Sequence, residues 1–251
     1  MMINTKQKTN IWLMGGLGNQ LFQLNKAHEL RLSGIDVTLI DNLLDPKSLI
    51  TSKFLRWKIH DNILHKIYRH NIPIKSTRNL FPLATAKLPF LNNYSKFNRQ
   101  RYDTRSATHL FGYFQDSITV NLKPNHFKFF TKTSDDTVMH LRLTDNNNLQ
   151  YSKGYYGRIL SALNKKVIKI VSDDKATASE IINTFSKAKC EIITKDAIID
   201  FQTLAQSKTL ICAPSTYSFW AALANDKAHE IYVPKIFKRY LKSSPENWIY
   251  V

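Results

Sequence analysis

Cysteine is scarce in this sequence, with two residues among 251. Cys190 and Cys212 both fall in apolar runs typical of strands, so we expect buried free thiols rather than a disulfide. No spacing of Cys and His residues matches a zinc site, and we predict no metal ligands. These absences argue against a small domain that disulfides or zinc hold together.

The sequence also lacks a long apolar run. No stretch of about 18 apolar residues occurs, so no membrane-spanning helix is predicted. The polar residues 1–10 lack the apolar core of a signal peptide. A reduced, cytoplasmic setting is therefore the expectation.

Acidic residues are few, with 19 Asp and Glu against 36 Lys and Arg and a formal net charge of +17. Such an excess attracts anions, which include nucleic acids, anionic membranes and phosphorylated small molecules. Composition does not choose among these partners. An apolar fraction of 43% favours a folded chain, and the length suits one large domain or two small ones.

The hydrophobic pattern predicts an α/β fold with two Rossmann-like units, 1–136 and 137–251. The first unit opens with a strand at 11–14, a glycine-rich turn, a helix that Gly34 ends, and a strand at 37–40. The second alternates predicted strands and helices, which indicates a parallel sheet with ligands at the carboxyl ends of its strands. The predicted strands are 138–143, 167–171, 190–194, 210–212 and, as the last, 231–233; the predicted helices are 155–163, 176–187, 200–207 and 217–224.

The middle of the chain, residues 42–136, shows no regular pattern. Between residues 53 and 105 there are twelve Lys or Arg and two acidic residues, interleaved with aromatics. Residues 51–70 look helical, and three prolines interrupt the chain between residues 73 and 89. We expect this basic segment to lie between the two units or to complete the first.

A glycine-rich turn, Gly15–Gln20, joins the first predicted strand to its helix. Glycines here let backbone N–H groups approach a ligand, and the following helix adds its positive dipole. The candidate ligand-binding residues are Gly16, Gly18, Asn19 and Gln20, because the two amides can bond sugar hydroxyls or phosphate oxygens. The spacing is neither GxGxxG nor the Walker pattern, and a tight turn without a ligand stays the alternative.

A histidine and an arginine share one face of the strand predicted at 138–143. His140 and Arg142 alternate with leucines, and Asp145 follows the strand. The planar guanidinium of Arg142 suits a diphosphate, and Asp145 could hold it in place. A structural ion pair between Arg142 and Asp145 is the alternative.

Acidic residues follow the next predicted strand. Ser172, Asp173 and Asp174 could bind a ribose, a base or a metal, or could cap the next helix. The sequence does not distinguish these interpretations.

Hydroxyl side chains open the predicted helix 217–224. Ser215, Thr216 and Ser218 could form an anion site at its N-terminus. Helix capping by Ser215 or Thr216 is the alternative. The neighbouring Phe219 and Trp220 are expected in the core.

These motifs resemble a known family. GGLGNQLFQ at 15–23 resembles the N-terminal signature of the bacterial α-1,2-fucosyltransferases, glycosyltransferase family 11. HLRLTD at 140–145 is similar to the HxRxxD motif of the wider superfamily, which includes the α-1,6- and protein O-fucosyltransferases. GYFQD at 112–116, VSDD at 171–174 and the run at 200–222 resemble the same family in the same order.

The resemblance implies a GT-B-like fold with two Rossmann-like units facing a cleft, an inverting mechanism and no obligatory metal or cofactor. Arg142 would neutralise the β-phosphate of the donor, GDP-fucose, with His140 and Asp145 supporting it or touching the nucleotide. Asn19 would contact phosphate or fucose. The hydroxyls at 215–218 would hold phosphates, and Asp173 or Asp174 would lie nearer the guanosine.

One residue departs from the family pattern, and the general base is undecided. Leu143 stands where many members carry a second arginine, so any role of that arginine is in doubt. Asp116 and Asp145 are candidate general bases, between which the sequence does not decide.

The implied acceptor is a glycan hydroxyl, α-1,2 on galactose, in surface polysaccharide or oligosaccharide synthesis. A lipid-linked acceptor is one expectation. The basic segment is then a candidate for peripheral contact with an anionic membrane. The alternatives are a glycosyltransferase of the same fold with another sugar nucleotide and a basic nucleic-acid-binding module. The second leaves the ordered motifs unexplained, so no nucleic acid is expected.

Overall fold

The computed structural model describes residues 7–41, 64–75, 95–98, 108–116, 118–128, 134–144, 149–163, 167–185 and 188–251. The chain forms two compact units, residues 1–126 and 127–251. Both are α/β units built on parallel sheets. The predicted fold class is therefore confirmed.

The first unit has a five-stranded parallel sheet in the order β3-β2-β1-β5-β4. Helix α1, Leu17–Leu32, follows β1, and a short helix α2, Leu64–Ile67, precedes β3. A helix was expected over 51–70. The structure describes residues 64–70 of that range, where α2 ends at Ile67, and residues 51–63 lie outside the described part. The strands are β1 Lys8–Trp12, β2 Asp36–Ile40, β3 Ile74–Lys75, β4 Ser95–Asn98 and β5 His109–Gly112.

Helix α1 ends as its sequence predicts. Gly34 has φ +85°, a left-handed conformation that costs glycine little. Its N–H donates to the carbonyl of Arg31, and the N–H of Ile35 donates to the carbonyl of Leu30. These two bonds form a Schellman motif, which satisfies carbonyls at the end of the helix.

The second unit has a six-stranded parallel sheet in the order β11-β10-β9-β6-β7-β8. Apolar side chains of β6, β7 and two helices form its core, with Met139, Ile170 and Tyr155 fully buried. The strands are β6 Ser134–Leu141, β7 Val167–Ser172, β8 Lys189–Ile192, β9 Ser207–Ile211, β10 Glu230–Val233 and β11 Trp248–Tyr250. The helices are α3 Leu149–Ala162, α4 Lys175–Phe185, α5 Ala197–Ala205 and α6 Thr216–Ala224.

Strand β10 is not the last strand, so that expectation was wrong. The chain continues through a 3₁₀ turn, Lys235–Arg239, and returns to pair β11 with β10. Trp248 of β11 packs against Phe219 of α6, with ring centroids 5.9 Å apart. A three-residue strand is too short to show a recognisable alternation of apolar and polar residues. The packing of Trp248 against Phe219, a residue distant in the chain, helps to hold β11 in position.

The two cysteines are free, as predicted: Cys212 is buried and Cys190 half-buried. Burial raises the pKa of the Cys212 thiol well above its ordinary value. Within the described ranges, no helix combines the length and apolar character needed to cross a membrane.

Candidate functional site

The order of strands in the second unit marks one crevice. The chain forms β6, then β7 and β8 on one side of it, and returns to place β9 on the other side. The loops that leave β6 and β9 therefore diverge in opposite directions. In open parallel sheets, ligands bind at the carboxyl ends of such a pair of strands. Residues 142–144 and 212–216 lie at this switch point.

His140 lies near the end of β6 and is 4% exposed. Its Nδ1 lies 2.5 Å from Oγ of Ser218, a residue 78 positions later in the chain. Burial lowers the pKa of His140 to about 4, with Arg142 lowering it further and Asp173 opposing that change. The imidazole is therefore neutral at pH 7.

Arg142 lies just past the end of β6. Its Nη1 is 3.1 Å from Oδ2 of Asp173, and its side chain is 39% exposed. The structure thus gives Arg142 an acidic partner on the neighbouring strand end, whereas sequence analysis considered Asp145. Asp145 lies outside the described residues. The half-exposed guanidinium, oriented by a carboxylate, is suited to bind an anion.

Asp173 also supports the backbone that carries Arg142. Its Oδ1 accepts from the N–H of Leu143 at 2.8 Å, and its Oδ2 accepts from the hydroxyl of Thr144 at 2.5 Å. The phenolic oxygen of Tyr156 accepts a longer bond, 3.4 Å, from the Arg142 N–H. Asp173 therefore shapes the turn at 142–144, a role that its position in the sequence did not indicate.

Asp174 caps helix α4. Its Oδ1 accepts from the N–H groups of Ala176 and Thr177, and its Oδ2 from the Thr177 hydroxyl. The bond from the Thr177 hydroxyl is the main cause of the lowered pKa of Asp174. Ser172 is buried and bonds to the backbone of Asp174. The capping alternative is thus present in the structure, and nucleotide contact by these two residues stays a prediction.

The hydroxyls at the start of α6 have different environments. Ser215 is the N-cap, and its Oγ accepts from the N–H of Ser218 at 3.2 Å. Ser218 is 1% exposed, and its hydroxyl faces His140. Thr216 is half-buried in a first turn that contains no acidic residue. The N-terminus of α6 therefore keeps its positive dipole at the end of β9.

In the first unit the turns after the neighbouring strands β1 and β5 lie at one edge of the parallel sheet. Gly15 lies there with φ +77°, and a Cβ on it would come within 2.5 Å of Asn19 Nδ2. Nε2 of Gln20 donates to the Gly15 carbonyl at 3.0 Å. The turn thus requires glycine at position 15 for its own geometry.

Gly16 differs from Gly15. It is the N-cap of α1 with φ −69°, and a Cβ on it would meet no atom within 4 Å. Packing among the described residues therefore does not require glycine at this position. Gly18 is buried in the first turn of α1, where no acidic residue occurs.

A hydrogen bond joins two of the sequence motifs. Nε2 of Gln115, in the turn after β5, donates to Oδ1 of Asn19 at 2.9 Å. The two amides come from segments 96 residues apart. The turns at 15–20 and 112–116 therefore form one polar surface at the ends of β1 and β5, next to the exposed Asp116.

Sequence analysis missed two buried amides of α1. Gln23 accepts from the N–H of Met14 at 3.0 Å and donates to the carbonyl of Gly112 at 2.8 Å. Asn25 bonds in the same way to Thr119 and Asn121. The sequence did contain a signal for them, because two amide side chains occur among the residues that the helix buries. Gln23 therefore joins the turns after β1 and β5, and Asn25 holds the segment at 119–121 against the helix.

Among the described residues, no group of three or more His, Cys, Asp or Glu side chains is arranged to hold a metal ion. The site's charge instead comes from Arg142 and Asp173.

Comparisons with known proteins agree with the fold. No family model matches the chain. It is 22% identical to an O-antigen biosynthesis glycosyltransferase, WbnK, of Escherichia coli, with 94% of this chain and 93% of WbnK aligned.

Solved glycosyltransferase structures are also similar. The E. coli heptosyltransferase WaaC, with an ADP-heptose analogue, matches at a TM-score of 0.50 and 11% identity, covering 98% of this chain and 93% of WaaC. The Bradyrhizobium fucosyltransferase NodZ matches at 0.47 and 13%, covering 90% and 96%. The similarity to WbnK indicates a relationship to glycosyltransferases, and the similarity to WaaC agrees with a GT-B-like α/β fold.

Proposed function

We propose that the chain transfers L-fucose from GDP-fucose to a hydroxyl of a glycan acceptor, with inversion at the anomeric carbon. The observation that carries the proposal is Arg142 at the β6/β9 switch point, half-exposed and oriented by Asp173 at 3.1 Å. The five family-like motifs point to GDP-fucose as the donor. The similarity to WbnK supports glycosyl transfer in O-antigen synthesis.

In the proposed reaction GDP is the leaving group, and the second unit stabilises its diphosphate. As the bond to fucose breaks, negative charge grows on the β-phosphate, and Arg142 is placed to neutralise it. The N-terminus of α6, with Thr216 in its first turn, adds a partial positive charge. His140, being neutral, offers a hydrogen bond without competing with Arg142 for the charge.

The remaining site residues complete the proposal. Asp145 supports Arg142 or the nucleotide, and Asp173 acts through Arg142 while lying nearest the guanosine side. In the first unit, Asn19 contacts phosphate, fucose or an acceptor hydroxyl through its neutral amide, with Gly16 leaving room for close approach. Gln20 is buried and bonds to the Gly15 carbonyl, so it supports the turn rather than the ligand. Asp116 is a candidate general base, since it is exposed beside that surface.

The acceptor is proposed as a galactose hydroxyl of a surface glycan, with α-1,2 linkage. A lipid-linked acceptor would bring the enzyme to an anionic membrane, where its net charge of +17 favours peripheral contact. Vesicles with and without anionic lipid, sedimented with the protein at low salt, test this contact. Equal binding to both would contradict it.

A thermal-shift titration tests the donor. GDP, UDP, ADP and NAD are added to the wild type and to Arg142→Ala. GDP at about one hundred times its Kd should stabilise the wild type by about 2.7 kcal/mol, and this gain should be lost in the variant.

The matched control is Arg158→Ala, which removes an exposed arginine of α3 with the same change in charge. It should keep the response to GDP. A stronger response to UDP or ADP than to GDP would favour the alternative donor class. No response to any nucleotide in the wild type would contradict the proposed donor.

A further inference from the structure

We propose that Ser218 is a positioning residue that holds His140 in the tautomer protonated at Nε2. The structural part of this inference stands on the hydrogen bonds around Ser218. The part that concerns a ligand rests on the proposed function, because it assigns the remaining ring N–H of His140 to the bound nucleotide.

The hydrogen bonds around Ser218 determine which atom its hydroxyl group donates to. Its Oγ accepts from the N–H of Ala213 at 3.0 Å and lies 2.5 Å from Nδ1 of His140. A hydroxyl has one proton to donate. If Nδ1 carried a proton, the Ser218 proton would face no acceptor among the described residues, in a position 1% exposed.

Only one arrangement pairs every proton. Ala213 donates to Ser218, Ser218 donates to Nδ1 of His140, and the imidazole proton lies on Nε2. An unpaired buried hydroxyl is costly enough to favour this tautomer by roughly tenfold or more. Because burial keeps His140 neutral, its ring carries one proton, which lies on either Nδ1 or Nε2.

Three elements hold this chain of bonds. His140 lies on β6, Ala213 follows β9, and Ser218 lies in the first turn of α6. Ser215 caps that helix and bonds the N–H of Ser218, which fixes the position of the hydroxyl. The ring of Tyr217 packs against His140, with centroids 5.4 Å apart. The imidazole therefore has little freedom to turn its nitrogens around.

The consequence concerns what His140 presents to a ligand. With Nδ1 bonded to Ser218, the other polar atom of the ring is a neutral N–H donor at the end of β6. Such a donor suits a phosphate or ribose oxygen of the nucleotide that Arg142 binds. Ser218 then acts on the nucleotide through His140, because its hydroxyl has no exposed surface to meet a phosphate itself.

Nitrogen-15 NMR of the imidazole groups tests the tautomer without any nucleotide. Wild type is compared with Ser218→Ala and Ser218→Thr, and His140→Gln assigns the signal. We expect the Nε2–H pattern in wild type, a mixed or Nδ1–H pattern in Ser218→Ala, and the wild-type pattern in Ser218→Thr. Ser179→Ala is the matched control and should change nothing, because Ser179 is a half-buried serine of α4 whose hydroxyl donates to the Lys175 carbonyl.

Two NMR results would overturn the proposal. One is an Nδ1–H pattern in wild type, and the other is an unchanged Nε2–H pattern in Ser218→Ala with native circular dichroism. If Ser218→Ala does not fold, the wild-type pattern and the threonine variant still decide. Substitution by cysteine, a similar volume with a weaker donor, gives an intermediate case.

Calorimetric titration with GDP tests the ligand part. Ser218→Ala should weaken GDP binding by about tenfold, and Ser218→Thr should restore it. Unchanged affinity in a variant whose tautomer has changed would overturn this part. No GDP binding in wild type would instead contradict the proposed function, while the NMR result on the tautomer would stand.

Discussion

Both units carry polar turns after a central strand of a parallel sheet, β1 or β6, but the turns differ in chemistry. The sheets also differ in order: the second unit grows outward on both sides of β6, whereas the chain of the first unit reaches β5 from the edge strand β4. The turn at Gly15–Gln20 carries glycines and neutral amides. The turns after β6 and β7 carry an arginine and a carboxylate 3.1 Å apart.

This difference suits the two units to different kinds of ligand group. Ionised groups stabilise a charged ligand strongly but cost free energy to bury, so the second unit pairs Arg142 with Asp173 and leaves both partly exposed. Amides bond neutral hydroxyls at little desolvation cost. We therefore propose that the diphosphate binds to the second unit and that neutral sugar groups bind mainly to the first.

The largest expected effect compares Arg142 with Asn19. Arg142→Ala should lower the rate of fucose transfer by about 10²–10³, since one donor to a developing anion typically contributes about 3–4 kcal/mol. Asn19→Ala should lower it by about tenfold, because a neutral hydrogen bond contributes less. Transfer to an acceptor mixture, followed as GDP release, measures both. Equal losses in the two folded variants would break the assignment.

The second effect concerns pH and His140. Its pKa of about 4 when folded lies below 6.5, so its contribution to stability is complete above pH 6.5 and is lost as the pH falls towards 4. The loss amounts to about 3 kcal/mol at one pKa unit per 1.36 kcal/mol. His28 and His109 of the first unit also have a pKa lowered by burial, and they act in the same direction.

Urea unfolding at pH 7.5, 5.5 and 4.5 measures this dependence. The free energy of unfolding of His140→Gln should fall less steeply with acid than that of wild type. His28→Gln serves as the comparison in the first unit and should change the slope less, because His28 is only half-buried. A slope for His140→Gln equal to the wild-type slope would show that His140 is not the main group.

The smallest effect separates two neighbouring glycines in the first unit. Gly15→Ala should lower stability by about 1–3 kcal/mol, because alanine is strained at φ +77°. Gly16→Ala should cost less than about 1 kcal/mol, since a Cβ there meets open space. Thermal unfolding of both variants measures the difference. If Gly16→Ala nevertheless weakens ligand binding, the open space belongs to a ligand; unchanged binding would remove Gly16 from the site.

Local pattern was enough for much of the fold. The β-loop-α-β opening was predictable because strand, helix and the Gly34 terminus each leave a signal within a few residues. The alternation after residue 137 was predictable for the same reason. Strands β5 and β11 were not, because both are short and obtain their stability from neighbours that lie far away in the chain.

The structure brings several of the candidate residues together, while their assignment to a binding site stays a prediction. His140, Arg142 and Ser218 were candidates from their positions at strand ends. Sequence analysis did not predict that Asp173 would orient Arg142, or that Ser218 would face His140 rather than solvent. Both contacts join segments that are far apart in the chain, and no local pattern contains that information.

The sequence by itself determined the β-loop-α-β opening with its terminator at Gly34, the alternation after residue 137 and the residue types available at each turn, because periodicity and backbone preferences act over a few residues. Tertiary structure alone decided which side chains meet. Strand order brought β6, β7 and β9 together, and burial then selected the partners: a neutral His140 bonded to Ser218, and Arg142 held by Asp173. These choices depend on contacts between distant segments, where desolvation favours only fully paired polar groups.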